Sequence, residues 1–259
     1  MYENILLEVK GNVAWLTLNR PKALNAMNVA TLSEMELALG EIEKDDNVWV
    51  GVITGAGEKA FTVGADFDDL KNLDLSGALA YSRTGHRVFS KIDKIAKPII
   101  AGINGMAIGG GFELALACTL RVMSQTATLH LPELTLGGIP GLGGTQRLPR
   151  IIGKSQGLWY LLTGERINAE AALRMGLVHR VVAQESVRDE CEKVAGILCQ
   201  KGPFAMRLAL QAVNSGIEID LENGLELEAA LMTIVSVSQD AKEGIEAALS
   251  KRPPAFKGK

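Results

Sequence analysis

Cysteine is scarce in this chain, and none of it is spaced for a redox or metal motif. Cys118, Cys191 and Cys199 show no C-x-x-C spacing. Their odd number and spacing argue against a disulfide framework. Cys118 lies in an apolar run and reads as a small core residue, so a reducing, cytoplasmic setting is expected. Histidine is equally sparse. His86, His130 and His179 stand far apart without ligand spacing, and no metal is expected. Positive charge is not in excess either. With 27 basic against 30 acidic residues the net charge is −3, which argues against a nucleic-acid partner. The opening MYENILLEV has neither a basic flank before an apolar stretch nor an Arg/Ser-rich amphipathic start, so no signal or transit peptide is expected. Low-complexity tracts, short-period repeats and Pro- or Ser-rich linkers are missing.

What is present is the composition of a folded protein. The chain has 259 residues, 47% hydrophobic and 22% charged, enough for one large domain or one domain with a helical appendage. One run imitates a membrane span: IIAGINGMAIGGGFELALACTL at 99–120. Asn104 and Glu113 lie inside it and glycine interrupts it five times. A carboxylate facing lipid is costly, so the run reads as a buried strand, a glycine turn and a buried helix. No membrane partner is expected.

Along the chain, 6–10 and 13–18 read as a hairpin turning at Gly11-Asn12. NRPKALN at 19–25 is a loop, and Asn28 caps an amphipathic helix to about Lys44. A strand is expected over 48–54, a long loop around Phe61 over 55–66, and a helix over 75–95 ending before Pro98. After the apolar run come two short strands within 121–130 and a glycine-rich loop over 132–144. Helices near 145–152, 155–162 and 168–175 and a strand over 178–182 follow. From Glu185 the pattern is helical, broken at Gly202-Pro203 and Gly216. Strands alternating with helices give an α/β core with a helical tail.

Two motifs are decoys. Gly153-Lys154-Ser155-Gln156-Gly157 matches a nucleophile elbow in letters, but a helical pattern precedes it, so Ser155 reads as a helix cap. Gly55-Ala56-Gly57-Glu58-Lys59-Ala60 resembles a degenerate dinucleotide fingerprint, but no helix opens after it.

The chemistry lies in Ile108-Gly109-Gly110-Gly111-Phe112-Glu113. A strand delivers three glycines into a helix start, where backbone N–H groups lack partners and negative charge is favoured. Glycine lets a ligand approach the backbone, as the developing oxyanion of a thioester would require. Close packing of strand on helix explains the glycines equally well. Glu113 sits one turn into an otherwise apolar helix, where desolvation raises a carboxyl pKa. Glu133, flanked by Pro132 and Leu134 and followed by GGIPG at 137–141, is a second candidate. Two carboxyls with pKa values pushed apart can serve as acid and base.

Five ordered stretches resemble the enoyl-CoA hydratase/isomerase (crotonase) family. They are NRPKALNAM at 19–27, KAFTVGAD at 59–66, KPIIAGINGMAIGGGFELALAC at 97–118, LPELTLGGIPGLGGTQRLPR at 131–150 and LTGERINAEAALRMGLVHRVV at 162–182. The resemblance implies an α/β fold: a crotonase-like spiral of ββα units over 1–195 and a C-terminal helical assembly region over 196–259. It implies an acyl-CoA thioester substrate, no cofactor beyond the CoA that the substrate carries, and a homotrimer or a homohexamer built as a dimer of trimers. Leu208, Leu225 and Leu231 are expected between subunits. Carried over position by position, the N–H groups of Ala65 and Gly110 form the oxyanion hole. Glu133 exchanges the proton at C2, Glu113 activates the water that adds at C3, and the Gly141 N–H helps to hold that water. Lys22, Ala23, Leu24, Asp66, Phe67 and Asp68 fall where the family contacts CoA or the acyl arm. Phe256 and Lys257 fall where it often reaches a neighbouring subunit's CoA.

The chain departs from the family pattern at Leu131, where glutamine is common, and at Thr119, where aspartate often follows the cysteine. The first departure bears on acyl specificity. The expected activity is reversible syn addition of water across C2=C3 of a 2-enoyl-CoA. The alternatives are a Δ3,Δ2-enoyl-CoA isomerase, a hydratase of branched, cyclic or dienoyl-CoA, and a non-catalytic RNA-binding relative.

Overall fold

The computed structural model describes residues 2–71 and 73–259. The N-terminal hairpin pairs β1 (Ile5–Lys10) with β2 (Val13–Leu18) around the expected turn. Asn28 caps α1 (Val29–Lys44) by accepting the Thr31 N–H at 2.8 Å. β3 (Val50–Gly55) follows. The expected loop around Phe61 contains an additional short strand, β4 (Ala60–Thr62). It is buried throughout, so no polar alternation announced it. A single-turn helix, α2 (Phe67–Leu70), precedes the long α3 (Leu75–Lys94).

The membrane-like run resolves into β5 (Ile99–Ile103), β6 (Met106–Ile108) and α4 (Gly110–Ala117). Asn104, the polar residue between the strands, donates to the carbonyls of Gly55 and Gly57 at 2.8 and 2.7 Å. It thereby ties the turn to the exit of β3. Among the described residues no helix is long and apolar enough to cross a membrane. β7 (Leu120–Ser124) and β8 (Thr128–His130) follow. The expected loop at 132–144 contains a 3-10 turn, Glu133–Leu136. Then come α5 (Gly144–Ile152), α6 (Lys154–Thr163), β9 (Ile167–Asn168), α7 (Ala169–Arg174) and β10 (Arg180–Val182). The cap of α6 is Gly153, and Ser155 lies exposed in its first turn without capping. The cap reading of Ser155 is therefore corrected: the positive φ of Gly153 turns the chain directly from α5 into α6.

The strands form two sheets, ordered β1-β2-β3-β5-β7-β10 and β4-β6-β8-β9. β3, β5 and β7 run parallel in the first, and β4, β6 and β8 run parallel in the second. The chain visits one strand in each sheet and then a helical segment, three times in succession. This is the spiral of ββα units. Period-2 alternation decides which side chains face which layer. Val50 and Val52 of β3 and Ile100 of β5 face outward onto α8 (Val187–Leu198), meeting Val187, Cys191 and Ala195. Ile53, Ile99 and Ala101 face inward, onto a core shared with Phe61, Phe89 and Phe112. Each such buried side chain stabilises the fold by about 1.5–3 kcal/mol.

The tail comprises α9 (Pro203–Gly216), α10 (Leu221–Ser236) and α11 (Gln239–Leu249). Residues 195 and 196 both lie inside α8, which packs on the first sheet, and α9 begins at Pro203. Leu208 and Leu231 are buried within the chain itself, whereas Leu225 is exposed. The first two are therefore already covered within one copy.

Candidate active site

The three glycines at the start of α4, Gly109 as its cap and Gly110 and Gly111 as its first residues, have different surroundings. Gly109 caps the helix at φ +52°, a conformation that side chains rarely adopt, and a Cβ there would stand 2.9 Å from Glu133 Oε1. A Cβ on Gly111 would lie 2.1 Å from the Thr62 carbonyl oxygen, so this glycine serves close packing of α4 on β4. Gly110 lies beside Gly64, whose own Cβ would reach the Gly110 nitrogen at 2.6 Å. The close-packing reading of the glycine run thus holds for Gly111.

Gly110 is the first residue of α4, so its N–H has no intrahelical acceptor. Ala65 is bridged to Met27 through its neighbours: Met27 N donates to Gly64 O, and Asp66 N donates to Met27 O. Neither the Ala65 N–H nor the Gly110 N–H donates to an acceptor among the described residues. The Gly141 N–H is likewise unused, while the Gly141 carbonyl accepts from Ser82 Oγ at 2.7 Å.

Glu113 is buried in the first turn of α4. Its Oε1 accepts the N–H groups of Leu142 and Gly144 at 2.9 and 2.6 Å. Burial raises its pKa, and these N–H groups and the Arg147 guanidinium oppose the rise. Glu133 opens the 3-10 turn beside Gly109. Burial, its largest influence, and the charge of Glu113 push its pKa up to about 7. Its Oε2 is buried without a hydrogen-bond partner among the described residues. Buried polar atoms are rarely left so. The two glutamates that sequence reasoning paired are therefore neighbours in space, both raised by burial, with N–H donors and a guanidinium opposing the rise at Glu113 alone.

A cleft of about 540 Å³ is lined by residues that flank Glu133 in sequence, though neither glutamate is itself among the lining residues. Ala23, Ala65, Asp66, Phe67 and Asp68 line it, together with His130 and Pro132, the residue before Glu133. Lys22 and Leu24 belong to the same 20–25 segment but are not among its lining residues. Asp66 accepts from Arg20 at 2.8 Å, and Arg20 also donates to the Ala26 carbonyl at 2.7 Å. Its carboxylate thus fastens the 20–27 loop to the cleft wall. Phe256 packs on Gly202 and Gly244, and the N–H groups of Lys257 and Gly258 donate to the Asp240 carboxylate at 2.7 and 2.8 Å. The tail is therefore strapped to α11 of its own chain.

The family model for enoyl-CoA hydratase/isomerase matches residues 8–259. The chain belongs to the enoyl-CoA hydratase/isomerase family. It is 42% identical over 255 residues to a crotonyl-CoA hydratase of Syntrophomonas wolfei, covering 98% of each chain. It is 39% identical over 249 residues to a short-chain-enoyl-CoA hydratase of Clostridium acetobutylicum, covering 96% of this chain and 95% of the relative. The crystal structure of an enoyl-CoA hydratase from Bacillus anthracis superposes with a TM-score of 0.97 at 37% identity, covering 99% of this chain and 100% of the other. The α/β spiral with its C-terminal helices is this family's fold.

Sequence reasoning missed the two backbone donors on Glu113 and the Arg147 beside them. The only signal was Gly143-Gly144 opening a helix that carries a cation in its first turn.

Proposed function

We propose that this family member is an enoyl-CoA hydratase, adding water across C2=C3 of a 2-enoyl-CoA to give a 3-hydroxyacyl-CoA, and reversing that step. The observation that carries the reading is the unequal treatment of two adjacent carboxyls. Glu113 receives two N–H donors, and Glu133 receives none on its buried Oε2. The relatives' names point the same way.

In this mechanism the thioester oxygen accepts the N–H groups of Ala65 and Gly110. Ionised Glu113, with the Gly141 N–H, orients a water and takes its proton as the oxygen bonds to C3. Neutral Glu133 gives its proton to C2 as the enolate collapses. Charge growing on the thioester oxygen meets donors fixed in advance, which cost no reorganisation at the transition state. An isomerase needs one proton shuttle, and two differently tuned carboxyls fit hydration better. The reaction as written uses no cofactor beyond the CoA of the substrate. Ala23, Asp68 and Phe67, with Lys22 and Leu24 at the rim, are the proposed CoA and acyl-arm contacts. Asp66 acts through Arg20.

The test is a panel of enoyl-CoA thioesters, followed by loss of the conjugated enoyl absorbance. Turnover is expected, with kcat/KM falling on the acid side as Glu113 gains a proton and on the alkaline side as Glu133 loses its proton near pH 7. A protein that shifts the double bond of 3-enoyl-CoA but hydrates none would overturn the proposal.

The same reading includes assembly. Ile217, Leu221, Leu225 and Met232 of the tail are exposed apolar side chains, and contiguous surfaces of this kind mark interfaces. They are proposed to join copies into a homotrimer or homohexamer, within which Phe256 and Lys257 approach a neighbour's CoA. Light scattering that finds only a 27.6 kDa species would sink this.

A further inference from the structure

Both hydrogen bonds to Glu113 fall on one oxygen, Oε1, and both come from the segment that enters α5. The donors, Leu142 N and Gly144 N, flank Gly143, which adopts φ +114°. A side chain on Gly143 would occupy the place of the Arg147 guanidinium, since its Cβ would lie 2.0 Å from Nη1. That guanidinium donates from Nη1 to the Leu142 carbonyl at 3.2 Å and from Nε to Asp93 Oδ2 at 3.1 Å, and Nη2 pairs with the same carboxylate.

Two features make this more than an ordinary ion pair. Arg147 is a cation in the first turn of α5, and Asp93 is an anion in the last turn of α3. Each charge stands at the helix end that disfavours it. The pair is also joined, through the Leu142 peptide, to a carboxylate that the proposed reaction uses.

We propose that Arg147 is a positioning residue for hydration. By gripping the Leu142 carbonyl and Asp93, it fixes residues 142–144 so that two N–H groups hold one oxygen of Glu113 and the other is left to the water. This rests on the hydratase reading of the site. The guanidinium acts through peptide geometry and through its charge. The groups facing Glu113 are Arg147 from α5, Glu133 from the 3-10 turn and Tyr81 from α3. Tyr81 stays neutral because burial keeps its hydroxyl protonated. Arg147 is therefore the one cation among these, and it opposes the effect of burial on Glu113.

Arg147→Met is expected to lower kcat for hydration about 10-fold or more and to change KM by less than about 3-fold. The acid limb of the pH profile moves to higher pH, because an unopposed buried carboxylate binds its proton more tightly. Arg147→Lys keeps the charge but loses the planar fork. It is expected to leave the acid limb near its wild-type position while kcat stays reduced. A ligand-free measurement runs beside these. Carboxyl 13C NMR titration of Glu113, in a Glu133→Gln background, should show its midpoint rising on Arg147→Met and staying on Arg147→Lys. A Met variant with unmoved limb and midpoint, whose activity falls only with its folded fraction, overturns the proposal. So does a Lys variant with wild-type kcat, which also decides the matter if the Met variant does not fold. If the wild type hydrates no enoyl-CoA, the functional reading fails, and the NMR titration still decides whether Arg147 controls Glu113.

Discussion

Glu113→Gln and Glu133→Gln should each lower kcat for hydration by about 10²–10⁴-fold or more while leaving the fold intact, the usual scale for a positioned acid or base. The two losses have different origins. Glutamine at 113 can still accept the N–H groups of Leu142 and Gly144 through its amide oxygen. It therefore keeps the local structure but cannot take a proton from water. Glutamine at 133 removes the proton that C2 receives. The double variant should lose far less than the product of the single losses, because both groups act on one water and one substrate. Circular dichroism and single-turnover rates on one enoyl-CoA check all three proteins. A Glu113→Gln variant with near-full hydration beside an inactive Glu133→Gln would favour a single-carboxylate isomerase.

Gly64→Ala should be nearly as damaging, although Gly64 carries no reactive group. Its φ is +85°, and a Cβ there would lie 2.6 Å from the Gly110 nitrogen and 2.6 Å from the Ile108 carbonyl oxygen. Both are backbone atoms, so neither can swing aside. The methyl group must displace the start of α4 and with it the Gly110 N–H, one of the two proposed oxyanion donors. Loss of one such donor costs about 10²–10³-fold in kcat. The backbone strain alone adds about 1–2 kcal/mol of instability. Gly176→Ala separates the two effects. Gly176 has φ +70° with open space where a methyl group would stand, so that variant should lose stability with kcat unchanged. Thermal melts paired with kcat decide the case. Gly64→Ala with wild-type kcat would remove Gly110 from the oxyanion hole.

Local patterns were legible in the chain because their causes are local. The Gly11-Asn12 turn, the Asn28 cap and the end of α3 before Pro98 each depend on a few neighbouring residues, and the structure places them as read. The run at 99–120 was legible too, because glycine and a lone glutamate inside an apolar stretch are incompatible with lipid. β4 was not, since a three-residue strand buried on both faces has no period to detect. The cap of α6 was misread because a serine near a helix start is common, whereas the positive φ at Gly153 is visible only in three dimensions.

The sequence by itself determined the family, through five ordered motifs, and named both glutamates, since a carboxylate in an apolar helix is conspicuous wherever it occurs. Only the tertiary structure decided that the two are neighbours, that three adjacent glycines meet three different surroundings, and that α8 packs on the first sheet while Leu208 and Leu231 are already covered. It alone revealed the Arg147–Asp93 pair behind Glu113. The physical reason is distance along the chain. Asp93, Glu113 and the two residues Glu133 and Arg147 come from three successive turns of the spiral, and backbone N–H groups such as those of Ala65, Leu142 and Gly144 carry no letter of their own. Their function comes entirely from where the fold points them.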